Sequence, residues 1–510
     1  MRTKQAFLNT SMSFLLQLIL AVTGIFLPRY FIDAYGSPVN GLVTSINQFI
    51  TYMSLVEAGI GVAGMVALYK PLADKDNREV SAILSAAKRF YLLSGLIFTA
   101  LCVLLVAFYP LAVKKDIADV SFVRTMIVVL CANTIIDYFY LGKYRVLLQA
   151  DQRSYVISIC HIVGTVVMTA VTLLLIKLGF SAIIVKLAAA VIYLLRSLAV
   201  GIYVRCRYPE INFNAEPKNE AFDQRWSALV HQIVSIVVFN TDVVLLTLMV
   251  SENALSEVSV YGTYNLVAYG ILGLLSAISS ALTPSFGNVM ARNEKKALYD
   301  SYSSYEFVFF ILTFVAHTCM LVLFYPFITL YTEKLPDKAL YLRWSLVYLF
   351  TLYSGLHSLR LPAQTMINSA GHYRQTQWRS ITEGAINLFV SMALVRPYGI
   401  VGVLIGTCAA FFYRSIDCIV YTAKHFLPGT LKRTVGRIAR NVALSALITA
   451  IGMHFVLPLI NTWLQWFLAA FVFAVADLIL VLAFNALFER EEIGKIMRKF
   501  CSLTKKLLNK

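Results

Sequence analysis

Long apolar runs, each about the length of a membrane-spanning helix, recur along almost the whole chain and are separated by short polar loops. A helix needs about 20 apolar residues to cross the hydrocarbon core of a bilayer. Turn residues such as Gly36-Ser37-Pro38 separate many of the runs. We count fourteen runs, which begin near residues 7, 39, 90, 121, 154, 181, 226, 258, 302, 339, 380, 399, 441 and 464. The pattern predicts an all-α polytopic membrane protein with about fourteen transmembrane helices.

Composition and charge agree with this interpretation. The 510 residues are 59% hydrophobic and only 14% charged, which is too apolar for a soluble protein of this length. The net charge of +17 could suggest nucleic-acid binding, but most Lys and Arg residues lie at the ends of runs and in alternate loops. That asymmetry is the positive-inside pattern, and it predicts that both termini are cytoplasmic. The eight cysteines include no CxxC pair, so we expect neither a metal site nor a disulfide framework.

The chain contains an internal repeat. The segment "VNGLVTSINQF" from Val39 aligns without gaps on "VYGTYNLVAYG" from Val260, and both copies run on into a charged loop. Further along, Arg196 and its following serine in "YLLRSL" match Arg414 and its following serine in "FFYRSI". Both copies are expected to start on the outside, so they form parallel repeats of six helices. In transporters built this way, the substrate path lies at the interface between the repeats.

The repeat and the loops predict the organisation of the chain. Residues 1–205 form an N-terminal lobe of helices 1–6, 206–225 a cytoplasmic linker, 226–425 a C-terminal lobe of helices 7–12, 441–488 two extra helices, and 489–510 a basic cytoplasmic tail. The loops between helices are short, and none is long enough to fold as a soluble catalytic domain. We therefore do not expect the protein to be an enzyme.

Glu57 is an acidic residue inside an apolar run. In a continuous helix, Glu57, Gly61 and Gly64 would share one face, and glycines let a neighbouring helix come close. A carboxylate in the membrane is costly unless it is paired or protonated, so we expect Glu57 to face protein. It could bind a cation or a proton, pair with a substrate-binding arginine, or form a purely structural ion pair.

Three arginines lie inside predicted helices 6, 10 and 12, in the cytoplasmic half of the membrane: Arg196, Arg360 and Arg414. A guanidinium group there usually lines a cavity or forms an ion pair. Its planar fork matches phosphate and carboxylate, so these residues are candidates for binding an anionic head group. The alternatives are snorkelling to the interface for Arg196 and a local pair with Asp417 for Arg414.

Predicted helix 7 offers oxygen ligands near mid-membrane, from Asn240 and Asp242 in "VFNTDVV". Such oxygens suit a small cation such as Na⁺, although a hydrogen bond between helices would also explain them. Arg29 and Asp33, near the outer end of helix 1, could form an external gate or only an interfacial pair. Asp477 in predicted helix 14 has no assigned role.

Two further polar residues have simple explanations. Asp137 lies among tyrosines at the end of predicted helix 4, which is typical of an interfacial aromatic belt. His161 in predicted helix 5 could relay protons, but a hydrogen-bonded buried histidine explains it better.

The segment "NGLVTSINQFITYMSLVEAGIGVAGMVALYKPLADKD", from Asn40 to Asp76, resembles the second helix and following loop of Wzx-type lipid-linked oligosaccharide flippases. These are polysaccharide transporters of the multidrug/oligosaccharidyl-lipid/polysaccharide exporter superfamily. The segments "LLQADQRSYV", "LVHQIVSIVVFNTDVVLLT" and "LVRPYGIVGVLIGT" are similar to further parts of that family. The resemblance spans about Met1 to Phe426, and fourteen helices fit the longer members.

The resemblance implies two six-helix lobes around a central cationic cavity. It implies that the protein moves an undecaprenyl-pyrophosphate-linked sugar repeat unit to the outer leaflet of the bacterial cytoplasmic membrane, for capsule, exopolysaccharide or O-antigen synthesis. Implied partners are the lipid-linked oligosaccharide, membrane lipids, a polysaccharide polymerase and glycosyltransferases. No cofactor is implied beyond a coupling ion, H⁺ or Na⁺. The head-group role falls on Arg196, Arg360 and Arg414, whereas the coupling roles of Glu57, Asp242 and Asn240 rest on their chemistry alone.

Other functions stay open at this point. A cation-coupled drug antiporter of the same superfamily would need an acidic cavity, whereas intramembrane cations here rival the acids. A fourteen-helix major-facilitator transporter would need glycines that "LADKDNREV" lacks. A membrane glycosyltransferase or polymerase usually carries a large external loop with catalytic residues, which this sequence does not predict.

Overall fold

The computed structural model describes residues 2–57, 60–117, 119–218, 240–250, 252–292, 294–335 and 340–495, and regular structure in these ranges is helical throughout. The α-helices are α1 (Arg2–Met53), α2 (Ile60–Asp74), α3 (Asn77–Val113), α4 (Val120–Ile136), α5 (Gly142–Ala150), α6 (Ser154–Lys177), α7 (Ala182–Arg207), α8 (Asn240–Met249), α9 (Ala254–Ala291), α10 (Lys295–Tyr331), α11 (Trp344–Ser369), α12 (Tyr373–Tyr398), α13 (Ile400–His425), α14 (Leu431–Phe455) and α15 (Trp463–Phe488). Short 3₁₀ turns cover Ser54–Glu57 and Leu457–Leu459, and a π-helical turn covers Asp137–Leu141.

The predicted all-α membrane architecture is confirmed. Ten helical segments of the described chain are long and apolar enough to cross a membrane. The described helices also fall into fourteen segments at the predicted positions, if the two stretches of α1 are separated, the second stretch is counted together with α2, and α4 and α5 are joined through the π-helical turn. Parts of three predictions lie outside the described residues: 219–239 of the linker and helix 7, the start of helix 10 near 339, and 496–510 of the tail.

Several helices begin well before their apolar runs. Helix α3 begins at Asn77, where the Asp76 carboxylate accepts hydrogen bonds from the N–H groups of Arg78 and Glu79 (3.0 and 2.9 Å). That side chain satisfies two amides that have no partner inside the helix. Helices α10, α12 and α14 also begin before their apolar runs, so charged residues in their first turns belong to the helices and pack with them.

Gly36 divides α1 into two helical stretches. Its φ of +82° lies in the left-handed region, where glycine carries no steric penalty and most residues do. Pro38 follows two residues later, and it cannot donate a hydrogen bond to a continuous helix. The predicted turn at this position is therefore present as a sharp break in the helix.

The predicted continuous helix through Glu57 is wrong. Helix α1 ends at Met53, Ser54–Glu57 forms a 3₁₀ turn, and α2 begins at Ile60. Side chains from elsewhere bond to carbonyl groups that an α-helix would pair internally: the Tyr138 hydroxyl donates to the Ser54 carbonyl and the Ser94 hydroxyl to the Val56 carbonyl (both 3.2 Å). Because the helix is interrupted, Glu57 does not share a helical face with the glycines of α2.

The chain forms two compact units, Met1–Gly262 and Thr263–Lys510. In the first unit, α8 and the start of α9 pack on the second stretch of α1. There, Asn40 donates to the Ser259 hydroxyl (2.8 Å), and Ser45 shares a hydrogen bond with Thr247 (2.7 Å). The contact is so close at Gly41 that a Cβ would lie 1.7 Å from the Leu255 carbonyl oxygen. The predicted lobe boundaries at 205 and 226 stay predictions.

Buried ion pairs attach α14 and α15 to α10 in the second unit. Arg437 is 1% exposed; its Nη1 lies 2.8 Å from an oxygen of Glu306, which is fully buried. Thr434 donates a second hydrogen bond to Glu306 (2.7 Å), and Arg437 and Arg440 both pair with Glu489, which follows α15. Burial would raise the pKa of Glu489, but these two guanidinium groups hold it below its ordinary value.

We expect Arg437→Met to destabilise the second unit by about 3–5 kcal/mol, because it removes the hydrogen-bonded counter-charge of the buried Glu306 carboxylate and leaves only Arg433, whose Nε lies 4.0 Å away. The measurement is the thermal unfolding midpoint of the purified protein in detergent. Arg490→Met, which removes an exposed arginine just beyond α15, is the matched control. Equal midpoints for the two variants would contradict a structural role for the Glu306–Arg437 pair.

Candidate functional site

The first unit contains a cavity of about 370 Å³ between α1, α4, α6 and α7. Its wall is mostly apolar, with Leu20 and Leu27 from α1 and Met168 from α6 among the lining residues. The polar part of the wall comes from Thr23, Asn133, His161, Thr165, Tyr193 and Arg196. Ligand sites in proteins combine apolar walls with a few polar groups in this way, so the cavity is a candidate binding site.

Arg196 supplies the positive charge of this cavity. Its guanidinium lies over the ring of Tyr193, 4.0 Å from the ring centroid, and its aliphatic part packs against Gly164. A Cβ at Gly164 would lie 3.0 Å from the Arg196 Cδ, so this glycine gives the side chain its room. Arg196 forms no ion pair with any residue that the structure describes. The cation therefore faces the cavity without a carboxylate beside it.

Asn133 gives the cavity an acceptor. Its Oδ1 is buried and receives no hydrogen bond from the described residues. Buried polar atoms of native proteins almost always have a partner, so an acceptor of this kind is suited to a donor from water or a ligand. A guanidinium without a direct ion pair and an amide oxygen without a donor, both among the described residues, can together hold a molecule that carries negative charge and hydroxyl groups.

A chain of charges extends from Arg196 towards Glu57. The Tyr193 hydroxyl donates to Asp137 Oδ1 (2.6 Å), and Asp137 Oδ2 lies 3.0 Å from Arg145 Nη2. Asp137 opens the π-helical turn, a distortion that often occurs at functional sites. Asp137 therefore forms an ion pair, which its position among tyrosines did not predict.

Glu57 lies at the other end of this chain. Arg145 and Asp137 act on it electrostatically, and its Oε2 receives no hydrogen bond within the described part of the protein. The predicted ion pair or charge balance at Glu57 thus has a neighbouring cation in Arg145, which the sequence analysis did not identify. The predicted coupling role of Glu57 stays a prediction.

Arg360 and Arg414 lie in the second unit, in what we call the Glu383 network. Arg360 of α11 pairs with Glu383 of α12, and Arg414 Nε of α13 lies 3.5 Å from the same carboxylate. Arg414 Nη1 also lies 2.8 Å from Asp417, which pairs in turn with Arg379. Arg360, Glu383 and Arg414 are each at most 5% exposed. Their head-group role stays a prediction, and it would require these pairs to open.

Equivalent positions in the two units differ in charge. Arg196 and Arg414 both lie fourteen residues after the first residue of their helices, as the predicted repeat requires. Glu383 lies ten residues after the start of α12, and the same position in α6 is Gly164. Asp417 of α13 corresponds in the same way to Ala199 of α7. The second unit therefore neutralises its repeat arginine, whereas the first unit has small residues where the acids would be.

The remaining candidates lie elsewhere in the first unit. Asp242 is buried and accepts a hydrogen bond from the Tyr261 hydroxyl (2.9 Å), and Asn240 is half-buried at the start of α8. Asp33 is exposed on α1, and Arg29 is half-buried one turn earlier. Cation binding by Asp242 and Asn240 and gating by Arg29 and Asp33 stay predictions.

Sequence reasoning missed Arg145 and Glu383 because both lie at the edges of apolar runs. The predicted run for helix 11 begins near residue 380, which places Glu383 beside a loop, whereas α12 begins at Tyr373 and buries it. A detectable signal was the spacing of Arg379 and Glu383, which puts opposite charges one helical turn apart.

Comparisons with known proteins identify the fold. No protein-family model and no curated protein sequence matches the chain. Among solved structures, the lipid II flippase MurJ in an inward closed conformation has a TM-score of 0.66 and 15% identity, covering 96% of this chain and 100% of its own. An inward-facing multidrug resistance transporter of the MATE family, MOP superfamily, has a TM-score of 0.60 and 12% identity, covering 84% and 99%. A MOP-superfamily transporter from Pyrococcus furiosus has a TM-score of 0.54 and 14% identity, covering 84% and 94%. The chain has the fold of MOP-superfamily transporters and flippases.

We expect Glu57→Lys to abolish transport while the protein still inserts, because a lysine would place a second cation beside Arg145 and disturb the charges that lead to Arg196. The measurement is transport by equal amounts of reconstituted protein in liposomes. Asp74→Lys makes the same charge change at an exposed position and should leave transport unchanged. Normal transport by Glu57→Lys would refute a role for this acid.

Proposed function

We propose that the protein is a flippase that moves an undecaprenyl-pyrophosphate-linked oligosaccharide repeat unit from the inner to the outer leaflet of a bacterial cytoplasmic membrane. The observation that carries the proposal is Arg196, which lines the first-unit cavity and has no ion-pair partner among the described residues. In this proposal, the two units alternate access to the two leaflets, and surface polysaccharide synthesis uses the product.

The chemistry of the cavity suits a sugar phosphate. An arginine fork binds phosphate oxygens through two parallel charge-assisted hydrogen bonds. An unpaired guanidinium within the membrane is costly, so a negatively charged ligand that neutralises it gains a large interaction. Asn133 Oδ1 can accept a hydrogen bond from a sugar hydroxyl. A volume of about 370 Å³ suits a diphosphate and its first sugar, and longer glycans would extend beyond it.

The charge chain behind the cavity positions Arg196 in this scheme. Asp137 fixes the Tyr193 hydroxyl (2.6 Å), and the Tyr193 ring supports the guanidinium. Arg145 balances Asp137, and Glu57 adds an acid whose protonation or cation binding would change the field around Arg145. Coupling to H⁺ or Na⁺ at Glu57, or at Asp242 with Asn240, would drive flipping only if the ion binds one conformation better than the other.

The proposal also covers partners and alternatives. Glycosyltransferases would supply the lipid-linked oligosaccharide, and a polysaccharide polymerase would use it.

Similarity to MATE-family drug transporters supports a drug antiporter as the second candidate, but it leaves about a sixth of this chain unmatched. The uncompensated Arg196 also disfavours a cationic drug in this cavity. The structures described above are of transporters and flippases rather than enzymes, which is consistent with a non-enzymatic role.

The first experiment reconstitutes the purified protein in liposomes. It follows movement between leaflets of a fluorescent polyprenyl-pyrophosphate oligosaccharide, with and without imposed H⁺ and Na⁺ gradients. Gradient-dependent flipping by the wild-type protein is the expected result. Efflux of a cationic dye with no flipping would assign the protein to the drug antiporters instead.

Gly164→Glu and Gly164→Gln form a matched pair that tests the cavity charge. Both side chains add the same strain beside Arg196, whose flexible side chain can move by a few tenths of an ångström. Only the glutamate supplies the counter-charge that Glu383 provides in the second unit. We expect flipping by Gly164→Glu to fall about ten- to a hundred-fold below that of Gly164→Gln, because a charged hydrogen bond contributes about 1.5–3 kcal/mol. Equal activities would overturn the proposed role of Arg196.

A further inference from the structure

Helices α10 and α14 run parallel in the second unit, and two contacts fix their register. Glu306 pairs with Arg437 near their N-terminal ends. Further along, Gly452 packs so closely on Val322 that a Cβ there would lie 2.7 Å from the valine side chain. The two contacts give offsets between the helices that agree to within one residue, which places Thr318 of α10 beside the turn of α14 that contains Thr449.

Helix α15 runs antiparallel to α14, and two other contacts fix that register. The Asn485 amide donates to Asn441 Oδ1 (2.8 Å), and the position of a Cβ at Gly452 lies 2.9 Å from the Phe473 ring. Between these contacts, one helical turn after Phe473, α15 carries Asp477.

Four side chains with no hydrogen-bond partner among the described residues therefore lie at neighbouring levels of one three-helix group. Asp477 is 1% exposed, and neither of its carboxylate oxygens receives a hydrogen bond. The hydroxyl groups of Thr318, Ser445 and Thr449 are also buried without a partner. An electrostatic interaction between Asp477 and Cys319, the neighbour of Thr318, supports the register that brings α10 to this level.

The three helices supply no cation to balance Asp477. It is the one acid or base in α15, and α14 has no titratable side chain between Arg440 and His454. Arg440 is paired with Glu489 beyond the far end of α15. Helix α10 carries His317 and Cys319 at this level, and His317 is bonded to the Thr313 carbonyl and the Ser354 hydroxyl. A buried carboxylate in the membrane without a counter-charge is strongly disfavoured, so the compensating charge must come from outside the helices.

We propose that Asp477, with the hydroxyl groups of Thr318, Ser445 and Thr449, forms a binding site for one monovalent cation, Na⁺ or H⁺, between α10, α14 and α15. Carboxylate and hydroxyl oxygens are the ligands that hard cations prefer, and a bound proton would let Asp477 donate to a neighbouring hydroxyl. The site is distinct from the first-unit cavity. That this site couples a cation gradient to transport rests on the proposed function, whereas cation binding at the site does not.

The test for Na⁺ measures the thermal unfolding midpoint of the purified full chain in lipid nanodiscs. NaCl replaces choline chloride at constant ionic strength. A cation that binds only the folded protein raises the midpoint in a saturable way. We expect Asp477→Asn to remove this response and Thr449→Val to weaken the apparent Na⁺ affinity about ten-fold. Glu491→Gln neutralises an exposed acid beyond α15, and we expect it to leave the Na⁺ response unchanged.

The test for H⁺ uses infrared difference spectroscopy of the same samples, which detects a protonated carboxyl group. If the cation is a proton, Na⁺ has no effect, and the spectrum contains a protonated-carboxyl band that responds to pH and that Asp477→Asn removes. Thr449→Val should shift the pH at which this band changes. Because this variant keeps the Asp477 carboxylate, it still tests the site if Asp477→Asn fails to fold. The absence of both a Na⁺ response and a titrating band would overturn the proposal. A confirmed site in a protein that does not flip lipid would overturn only the proposed function.

Discussion

A charge that a helix carries into the membrane needs a counter-charge, and this requirement organises both units. The free energy of an isolated ion in hydrocarbon exceeds what one helix contact provides, so each charged side chain must pair, reach the interface or face a cavity. Arg437 and Glu306 satisfy the requirement by pairing, and the pair joins α14 to α10. The Glu383 network satisfies it with two acids for three arginines, which joins α11, α12 and α13.

The two units meet this need for a counter-charge in different ways at equivalent positions. In the second unit, Glu383 and Asp417 neutralise Arg414, so that arginine contributes to packing between helices. In the first unit, Gly164 and Ala199 occupy the corresponding places, and Arg196 rests on an aromatic ring beside a cavity. An aromatic face offers a cation only a weak interaction compared with a carboxylate. The same helix arrangement can therefore hold a closed structural network in one unit and an open anion site in the other.

The sequence predicts the helices well because hydrophobic length is a local property. The break at Gly36 and the matching positions of Arg196 and Arg414 follow from local turn chemistry and from the repeat. The 3₁₀ turn before Glu57 could not be predicted, because hydroxyl groups from distant helices stabilise it. Glu383 was missed for a related reason: its helix extends beyond the apolar run, and tertiary packing alone buries that extension.

Arg196 and Asp477 have opposite charges. In the first unit, Arg196 has no carboxylate within ion-pair distance among the described residues, and in the second unit Asp477 has no ion-pair partner among them. An anionic head group would complete the first site and a small cation the second, and each ligand would remove an electrostatic penalty that the protein otherwise carries. A ligand shifts a conformational equilibrium only through the difference in its affinity for the two states. Sites whose charge the protein does not balance internally offer the largest such differences, because any movement that changes their solvation changes the affinity directly. Coupling between a cation and an anionic lipid can thus arise from charge compensation alone, without a direct contact between the two ligands.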